Sequence, residues 1–242
     1  KRIRVDIPVQ LGKSKSYGLF ASWMTNEQNE SGPIYTKVNT ITPGLELKIP
    51  KEKVPEGMVF VEGGTFMMGS NDGEMNEKPV HKVTLSSFLI AKYEVTQEVW
   101  ESVVGSNPSD NKGNKRPVEN VDWYDAVEFC NKLSEKEGLQ KAYSGSRDNI
   151  TCDFNANGYR LPTEAEWEFA ARGGNNSKGY KYSGSNDIDV VSWYYSNSGD
   201  KIHETGSKRA NELGIYDMSG NVHEWCWDWY GDYSSGSQTN PR

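Results

Sequence analysis

The stretch that decides the fold lies at positions 159–168 and reads Tyr159-Arg160-Leu161-Pro162-Thr163-Glu164-Ala165-Glu166-Trp167-Glu168. Its first four residues are interpreted as a short extended segment. Thr163 and Glu166 then form a capping box, in which the threonine side chain accepts from a backbone N–H and the glutamate reaches back to the cap. We therefore predict a helix that begins after Thr163, buries Trp167 and stops at the Gly173-Gly174 pair.

Two more helices are predicted on the N-terminal side of this stretch. Thr96 caps a short helix over residues 97–104, which Gly105 ends. Asp122 caps a stronger helix that ends at Gly138. Apolar residues at helical spacing share one face of this second helix, namely Trp123, Val127, Cys130 and Leu133.

Residues 1–55 differ in pattern from the rest of the chain. Apolar and polar residues alternate over residues 3–7 and again over residues 45–49, which is typical of strands. We interpret residues 1–55 as an N-terminal β arm or small appendage. The main domain is predicted to span residues 56–242 and to open with a strand at 58–61.

The composition argues against several classes of function. The chain has 242 residues and a net charge of −7, so nucleic acid and acidic membrane surfaces are not expected partners. No apolar stretch is long enough to span a membrane. Hydrophobic residues make up only 35%, but 8 Trp, 13 Tyr and 7 Phe supply large buried surfaces, so a loop-rich fold with an aromatic core is expected.

The three cysteines, Cys130, Cys152 and Cys226, fit no zinc pattern. Cys130 lies on the apolar helix face and Cys226 lies between two tryptophans, so both are predicted to be buried and structural. Cys152 lies in a polar segment beside Asp153 and is a candidate for exposure. A neighbouring carboxylate disfavours the thiolate, so Cys152 is a poor nucleophile.

Five blocks of the sequence together resemble the formylglycine-generating-enzyme family, also called the sulfatase-modifying-factor family. They lie at residues 60–70, 93–96, 117–126, 159–168 and 214–225. The last block reads Gly214-Ile215-Tyr216-Asp217-Met218-Ser219-Gly220-Asn221-Val222-His223-Glu224-Trp225. This block and residues 159–168 are the most specific. One departure is His223, where the family usually has a bulky aromatic residue.

The resemblance implies an α+β, C-type-lectin-like fold, with two helices packed on a small twisted antiparallel sheet and long loops. It also implies that residues 56–242 lack the family's C-terminal third, which holds an Arg-Gly-Gly-Ser-Trp block and the catalytic cysteine pair. A sheet without its closing strands exposes edges, so we expect the natural chain to be longer. No catalytic or cofactor-binding residue is assigned.

Asp217, Gly220, Val222 and Glu224 span a glycine turn. Two carboxylates and two main-chain carbonyls on a tight turn suit calcium, which prefers oxygen ligands. The alternative from the residues alone is a plain turn with solvated acids. In the family, the matching positions supply a calcium site, so the resemblance favours the metal.

A second calcium site of the family corresponds to Asn197, Ser198, Asp200 and Ile202, across a shorter loop in this chain. The alternative is an ordinary polar turn, since such residues favour turns without any metal.

Two other groups of residues are weighed as sites. The aromatic residues at 193–195 and 225–230 are candidates for a binding surface or for the core. The helix carboxylates are interpreted as caps and solvated faces rather than an acid–base pair; they are Asp125, Glu128, Glu164, Glu166 and Glu168.

The function predicted first is a non-catalytic ligand-binding or display module. One branch of the family comprises variable surface proteins that retroelements diversify, which implies a protein or other surface ligand and a cell-surface or extracytoplasmic location. The alternative is an oxidase that uses oxygen and copper to convert a peptidyl cysteine of sulfatases to formylglycine. A third possibility is an accessory domain that supports a secretion or envelope machine. The sequence does not distinguish it from the non-catalytic binding module.

Overall fold

The computed structural model describes residues 2–4, 17–18, 22–23, 54–73 and 75–242, and the first three ranges are described as backbone strands only. The strand predicted at residues 45–49 lies outside the described residues. Residues 5–7 of the strand predicted at 3–7 also lie outside the described residues. Residues 3 and 4 belong to the observed strand Arg2–Arg4. The boundary predicted between residues 55 and 56 stays a prediction.

The described residues contain four α-helices: α1 (Gln97–Val104), α2 (Trp123–Lys136), α3 (Glu164–Ala171) and α4 (Ile188–Val191). The three predicted caps are confirmed. Thr96 accepts from the backbone N–H of Val99, while Asp122 and Thr163 each complete a capping box. Gly105 ends α1 in the left-handed conformation at φ 87°, where glycine carries no steric penalty. The fourth helix is a single turn that the sequence did not predict.

The described part of the chain also contains twelve short strands. They are β1 (Arg2–Arg4), β2 (Tyr17–Gly18), β3 (Ser22–Trp23), β4 (Met58–Val61), β5 (Gly64–Met68), β6 (His81–Leu85), β7 (Phe88–Ala91), β8 (Tyr143–Ser144), β9 (Thr151–Cys152), β10 (Tyr159–Arg160), β11 (His223–Trp229) and β12 (Gln238–Thr239). The largest sheet has the order β10-β3-β7-β4 and is antiparallel throughout. The N-terminal strand β3 therefore lies between strands of the main domain.

The fold is α+β, as predicted, with small antiparallel and mixed sheets. Two pairings are parallel: β11 with β2, and β12 with β6. These strands are far apart in the sequence, so no hairpin connection imposes an antiparallel direction on them. No helix among the described residues is both long and apolar enough to cross a membrane.

The core has two groups of buried side chains. The first lies around α3 and the β5–β6 hairpin and includes Phe88, Ile90, Trp167, Phe169 and Ile215. The second lies around α1, α2 and β10 and includes Trp100, Trp123, Phe129, Tyr143 and Leu161. Each such side chain, when fully buried, stabilises the fold by roughly 1.5–3 kcal/mol.

Strand β11 joins the two groups. Successive residues of a strand point to opposite faces, and Cys226 belongs to the first group while Trp225 and Trp227 pack against the second. The indole of Trp123 donates to the carbonyl of Cys226 at 3.0 Å, and that of Trp225 donates to the carbonyl of Val121 at 3.1 Å. These contacts fix the position of the turn that leads into β11.

Candidate functional site

The turn before β11 has an unusual backbone. Asp217 and Asn221 both have positive φ, at 63° and 69°, and the amide of Gly220 donates to the carbonyl of Asp217 at 3.1 Å. A β-carbon at Gly220 would collide with the Ser192 hydroxyl and the Trp193 carbonyl. Only glycine therefore allows the turn to lie this close to the segment that follows α4.

Three carboxylates are buried around this turn. Glu94, Asp217 and Glu224 are 1%, 3% and 2% exposed, so water does not screen their negative charges. The side-chain amide of Asn221 donates to Glu94 Oε2 at 2.7 Å, and the amide of Val222 donates to Glu94 Oε1 at 3.3 Å. Glu94, in the segment after β7, thus binds the turn at two positions.

The other two carboxylates also accept hydrogen bonds from the protein. The indole Nε1 of Trp167 donates to Glu224 Oε2 at 2.5 Å, and the amide of Gly206 donates to Asp217 Oδ2 at 2.7 Å. Glu224 Oε1 is buried and has no hydrogen-bond partner among the residues that the structure describes. A buried acceptor of this kind is costly unless a proton or a cation satisfies it.

Burial governs the protonation of this cluster. It raises the pKa of Glu94 well above its ordinary range, and the negative charges of Asp217 and Glu224 raise it further. Burial also raises the pKa of Glu224, with an added contribution from Asp217. The pKa of Asp217 rises to about 6 because the side chain is buried. The cluster therefore carries protons near neutral pH or gains a compensating cation.

The residues predicted to bind calcium, Asp217, Gly220, Val222 and Glu224, lie together at this turn. Within residues 54–73 and 75–242, no basic side chain forms an ion pair with the buried carboxylates. No three His, Cys, Asp or Glu side chains in that part of the chain form a ready metal-binding group. A cation here would therefore need main-chain carbonyls as well, as the predicted set supposes. The unsatisfied Glu224 oxygen fits such an ion, and calcium binding at this turn stays a prediction.

The second predicted calcium set lies in the loop after α4. The side-chain amide of Asn197 donates to Asp189 Oδ1 at 3.1 Å and its oxygen accepts from the amide of Tyr194. The carbonyl of Ser198 lies 2.9 Å from His203 Nε2. Of the two remaining members of the set, Asp200 is exposed and Ile202 is buried. These contacts resemble those of an ordinary polar turn, and a metal at this set also stays a prediction.

The thiols lie inside the fold. Cys130 and Cys226 are fully buried, as predicted, and burial raises the pKa of each. Cys152, a candidate for exposure, belongs to β9 and is half-buried, because Tyr143 of β8 pairs with it. Burial raises the pKa of Cys152 to about 12. None of the three is a thiolate near neutral pH.

The interpretation of the α3 carboxylates as caps is confirmed for Glu166, but their assignment to a solvated face is wrong for two of them. Glu166 is buried and forms a two-point ion pair with Arg160, with both N–O distances 2.7 Å. Glu164 is half-buried and accepts from the hydroxyl of Tyr233 at 2.7 Å. Burial raises the pKa of Glu164 to about 7.

The aromatic residues divide between core and surface. Trp225 and Trp227 pack against the core, whereas Trp229 and Tyr230 are 55% and 46% exposed. Trp193 stacks on His203 with ring centres 3.7 Å apart. The core interpretation is therefore confirmed for Trp225 and Trp227, and a binding surface at the exposed Trp229 and Tyr230 stays a prediction.

A cleft of about 510 Å³ opens beside α3. Its walls come from α3, from the loop after β5 and from residues 180–184 and 230–233. Its aromatic lining residues are Trp167, Tyr180, Tyr182, Tyr230 and Tyr233. The sequence analysis missed this cleft, because it did not show which loops lie beside α3.

Glu94 is a member of the buried carboxylate cluster that the sequence does not predict. In the sequence it belongs only to a block that resembles the family. An acidic residue beside the apolar strand β7 was the available signal, but its partner Asn221 lies 127 residues further along the chain.

The fold and the turn at residues 217–224 define the class of the protein. Residues 46–240 match the family described as "Sulfatase-modifying factor enzyme 1-like domain". The chain belongs to this family, and the resemblance seen in the sequence is confirmed.

The chain is similar to several individual proteins of known name. The chain is 46% identical to "Chaperone protein LppX" of Paenibacillus barcinonensis over 73% of each chain. It is 31% identical to "Inactive C-alpha-formylglycine-generating enzyme 2" of Bos taurus over 69% of each. Among solved structures it resembles Treponema denticola variable protein 1, with a TM-score of 0.69 and 40% identity over 76% of this chain and 77% of that one.

A further match is to a larger protein. The chain is 34% identical to "Serine/threonine-protein kinase pkn1" of Chlamydia caviae over 72% of its own length, but the match covers only 28% of that protein.

Proposed function

We propose that this chain is a non-catalytic module that binds a ligand and displays its binding surface outside the cytoplasm. The observation that carries the proposal is the solvent-open cleft beside α3, which is about 510 Å³ in volume and has aromatic walls. Concave sites of about this volume are the usual form of ligand sites, and their aromatic side chains supply contact area while polar groups fix the ligand's orientation.

The frame around the cleft suits a binding role. The capping box of α3 and the Arg160–Glu166 ion pair hold the helix that forms one wall. Trp167 lines the cleft and also donates to the buried Glu224. The cleft is therefore attached to a rigid core, which lowers the ordering cost of binding.

The thiols support the non-catalytic part of the proposal. The oxidase reaction that the family resemblance implies needs a reactive cysteine pair. Cys130 and Cys226 are fully buried, and the pKa of Cys152 is raised to about 12. None of these side chains is placed or ionised for that chemistry.

Two of the relatives agree with this role. Treponema denticola variable protein 1 and a relative named as inactive share this scaffold. Variation of surface residues on a fixed frame is how binding proteins acquire new ligands. We extend that role to this chain and propose a protein or other surface ligand as its partner.

Calcium is proposed as the structural ion of the frame. Asp217 and Glu224 would bind it through their carboxylates, and Gly220 and Val222 through their carbonyls. An ion there would offset the buried negative charge and satisfy Glu224 Oε1. A second ion is proposed at Asn197, Ser198, Asp200 and Ile202.

Selection from a random peptide-display library against the immobilised protein tests the proposal. We expect enrichment of peptides that bind the folded protein reversibly and do not bind the heat-unfolded chain. Tyr230→Ala in the cleft wall should weaken this binding, whereas Tyr124→Ala on α2 should not. Failure to enrich any peptide dependent on the fold would overturn the binding role.

A further inference from the structure

The cleft beside α3 combines negative charge with exposed aromatic rings. Among its described lining residues are five carboxylates and two basic side chains. The carboxylates are those of Asp72, Glu77, Glu164, Glu168 and Glu212. Carboxylates on an acidic protein would by themselves indicate a solvated surface, but here they line a concave space.

The basic side chains do not cancel this charge. Arg172 pairs with Glu168 at 2.7 Å and also donates to the carbonyl of Gly69. Lys181 Nζ lies over the Tyr182 ring, 5.3 Å from its centre. Lys178 lies beside the cleft as a third basic side chain, over the ring of Tyr180. The five carboxylates still outnumber the basic side chains, so the cleft keeps an excess of negative charge.

The aromatic walls already accept ammonium groups. Besides Lys181 on Tyr182, Lys178 Nζ lies 6.0 Å from the centre of the Tyr180 ring. Cations are attracted to ring faces at such distances. Tyr180 and Tyr230 are 38% and 46% exposed, so solvent and ligands reach them. The chain's own lysines thus show which chemical group these rings accept.

We propose that the cleft binds organic cations, namely the ammonium or guanidinium group of a flexible ligand, between its tyrosine rings and its carboxylates. This inference rests on the proposed binding function and names the class of ligand. A basic side chain of a partner peptide and a free polyamine share this chemistry. The volume of about 510 Å³ accommodates either.

Glu164 lies at the floor of the cleft, on the first turn of α3. Its Oε1 accepts from the Tyr233 hydroxyl at 2.7 Å, and its backbone amide donates to Asp228 Oδ2 at 2.7 Å. Asp228 and Glu168 are the charged groups whose negative charge acts on it. A ligand cation would supply the opposite charge that this half-buried carboxylate lacks from those neighbours.

Calorimetric titration of the whole chain at low salt tests the inference. The probes are a capped Gly-Lys-Gly-Lys-Gly peptide, the same peptide with acetylated lysines, a capped Gly-Glu-Gly-Glu-Gly peptide, and spermidine. We expect the lysine peptide or spermidine to bind, more weakly as salt rises, and the acetylated and acidic peptides not to bind. Tighter binding of the lysine peptide indicates a protein segment, and tighter binding of spermidine indicates a polyamine.

Two variants test the location. Asp72→Asn with Glu212→Gln should weaken binding about fivefold or more, since each exposed charge contributes modestly. Glu101→Gln with Glu135→Gln changes the net charge equally on α1 and α2 and should have no effect. Tyr230→Ala should weaken binding about two- to fivefold without altering charge. Unchanged thermal unfolding shows that each variant is folded.

Three results would overturn the inference: no cation binding, equal binding of the acetylated peptide, or equal losses in the cleft and control variants. If display-selected peptides without basic residues bind and depend on Tyr230, the binding function stands and only the ligand class is wrong. If neither they nor the cations bind, the proposed function fails as well.

Discussion

The side-chain amide of Asn221 donates to Glu94 Oε2 at 2.7 Å, although the two residues are 127 positions apart. Asn221 also accepts from the amide of His203 at 3.0 Å. A single side chain thus connects Glu94 in the segment after β7, the loop after α4 and the turn before β11. Because Glu94 is buried, loss of this hydrogen bond is expected to destabilise the turn.

Asn221→Ala should lower the free energy of unfolding by about 1–3 kcal/mol, because it removes the donor to Oε2 of the buried Glu94 carboxylate. Urea unfolding monitored by tryptophan fluorescence measures the loss. Asn114→Ala, in an exposed loop, should change stability by no more than about 0.5 kcal/mol. Equal effects of the two substitutions would show that the Glu94 contact does not stabilise the turn.

Gly220→Ala should destabilise the fold by about 1–3 kcal/mol, the usual cost of overpacking. The added methyl group would meet the carbonyl of Trp193, which belongs to the backbone and has little freedom to move. Gly231→Ala is the matched control, since nothing lies within 4 Å of a β-carbon there. Thermal unfolding of the two variants measures the difference. Equal melting temperatures for Gly220→Ala and the control would show that the close approach at Gly220 does not require glycine.

Arg160→Met should lower the free energy of unfolding by about 3–5 kcal/mol, because it leaves the buried Glu166 carboxylate unpaired. Lys132→Met removes a partner of the exposed Glu128 on α2 and should cost at most about 0.5 kcal/mol. Denaturant midpoints measure both. Similar midpoints for the two variants would mean that the buried pair is not structural.

Stability should depend on pH and calcium together. Burial raises the pKa of Asp217 from 3.8 to about 6, so the folded state holds this proton more tightly than the unfolded chain does. With calcium chelated, stability should therefore be highest near pH 4 and should fall as the pH rises through about 6, by up to about 3 kcal/mol for this group. Added calcium should restore stability at pH 7 and have little effect near pH 4, where the ligands are protonated.

Asp217→Asn separates this effect from that of the other carboxylates whose pKa is raised, which act with the same sign; they are Glu94, Glu164, Glu224 and Asp228. In thermal unfolding scans, the melting temperature of the variant should depend less on pH than that of the unmodified protein. Added calcium should raise it much less. A variant that keeps the full calcium response would remove Asp217 from the ligand set.

Local features of this fold are predictable from the sequence, because capping depends on residues three positions apart. Thr163 and Glu166 identify the start of α3, and Asp122 identifies that of α2. The burial of Cys130 follows from its place on an apolar helix face.

Features that depend on distant partners were not predictable. Glu94 becomes part of the carboxylate cluster only when the turn at Asn221 folds against it. The burial of Glu164 requires Tyr233, which lies 69 residues further along the chain. The parallel pairing of β12 with β6 likewise joins segments that no short-range pattern connects.

The central claim, that this chain binds without converting its ligand, is tested most directly with a cysteine-containing sulfatase peptide. The whole protein is incubated with the peptide, copper(I) and oxygen, beside an active formylglycine-generating enzyme as positive control, and the peptide is analysed by mass spectrometry. The account predicts that the peptide keeps its cysteine thiol with this protein and loses it with the control enzyme. Conversion of the cysteine to an aldehyde by this protein would contradict it.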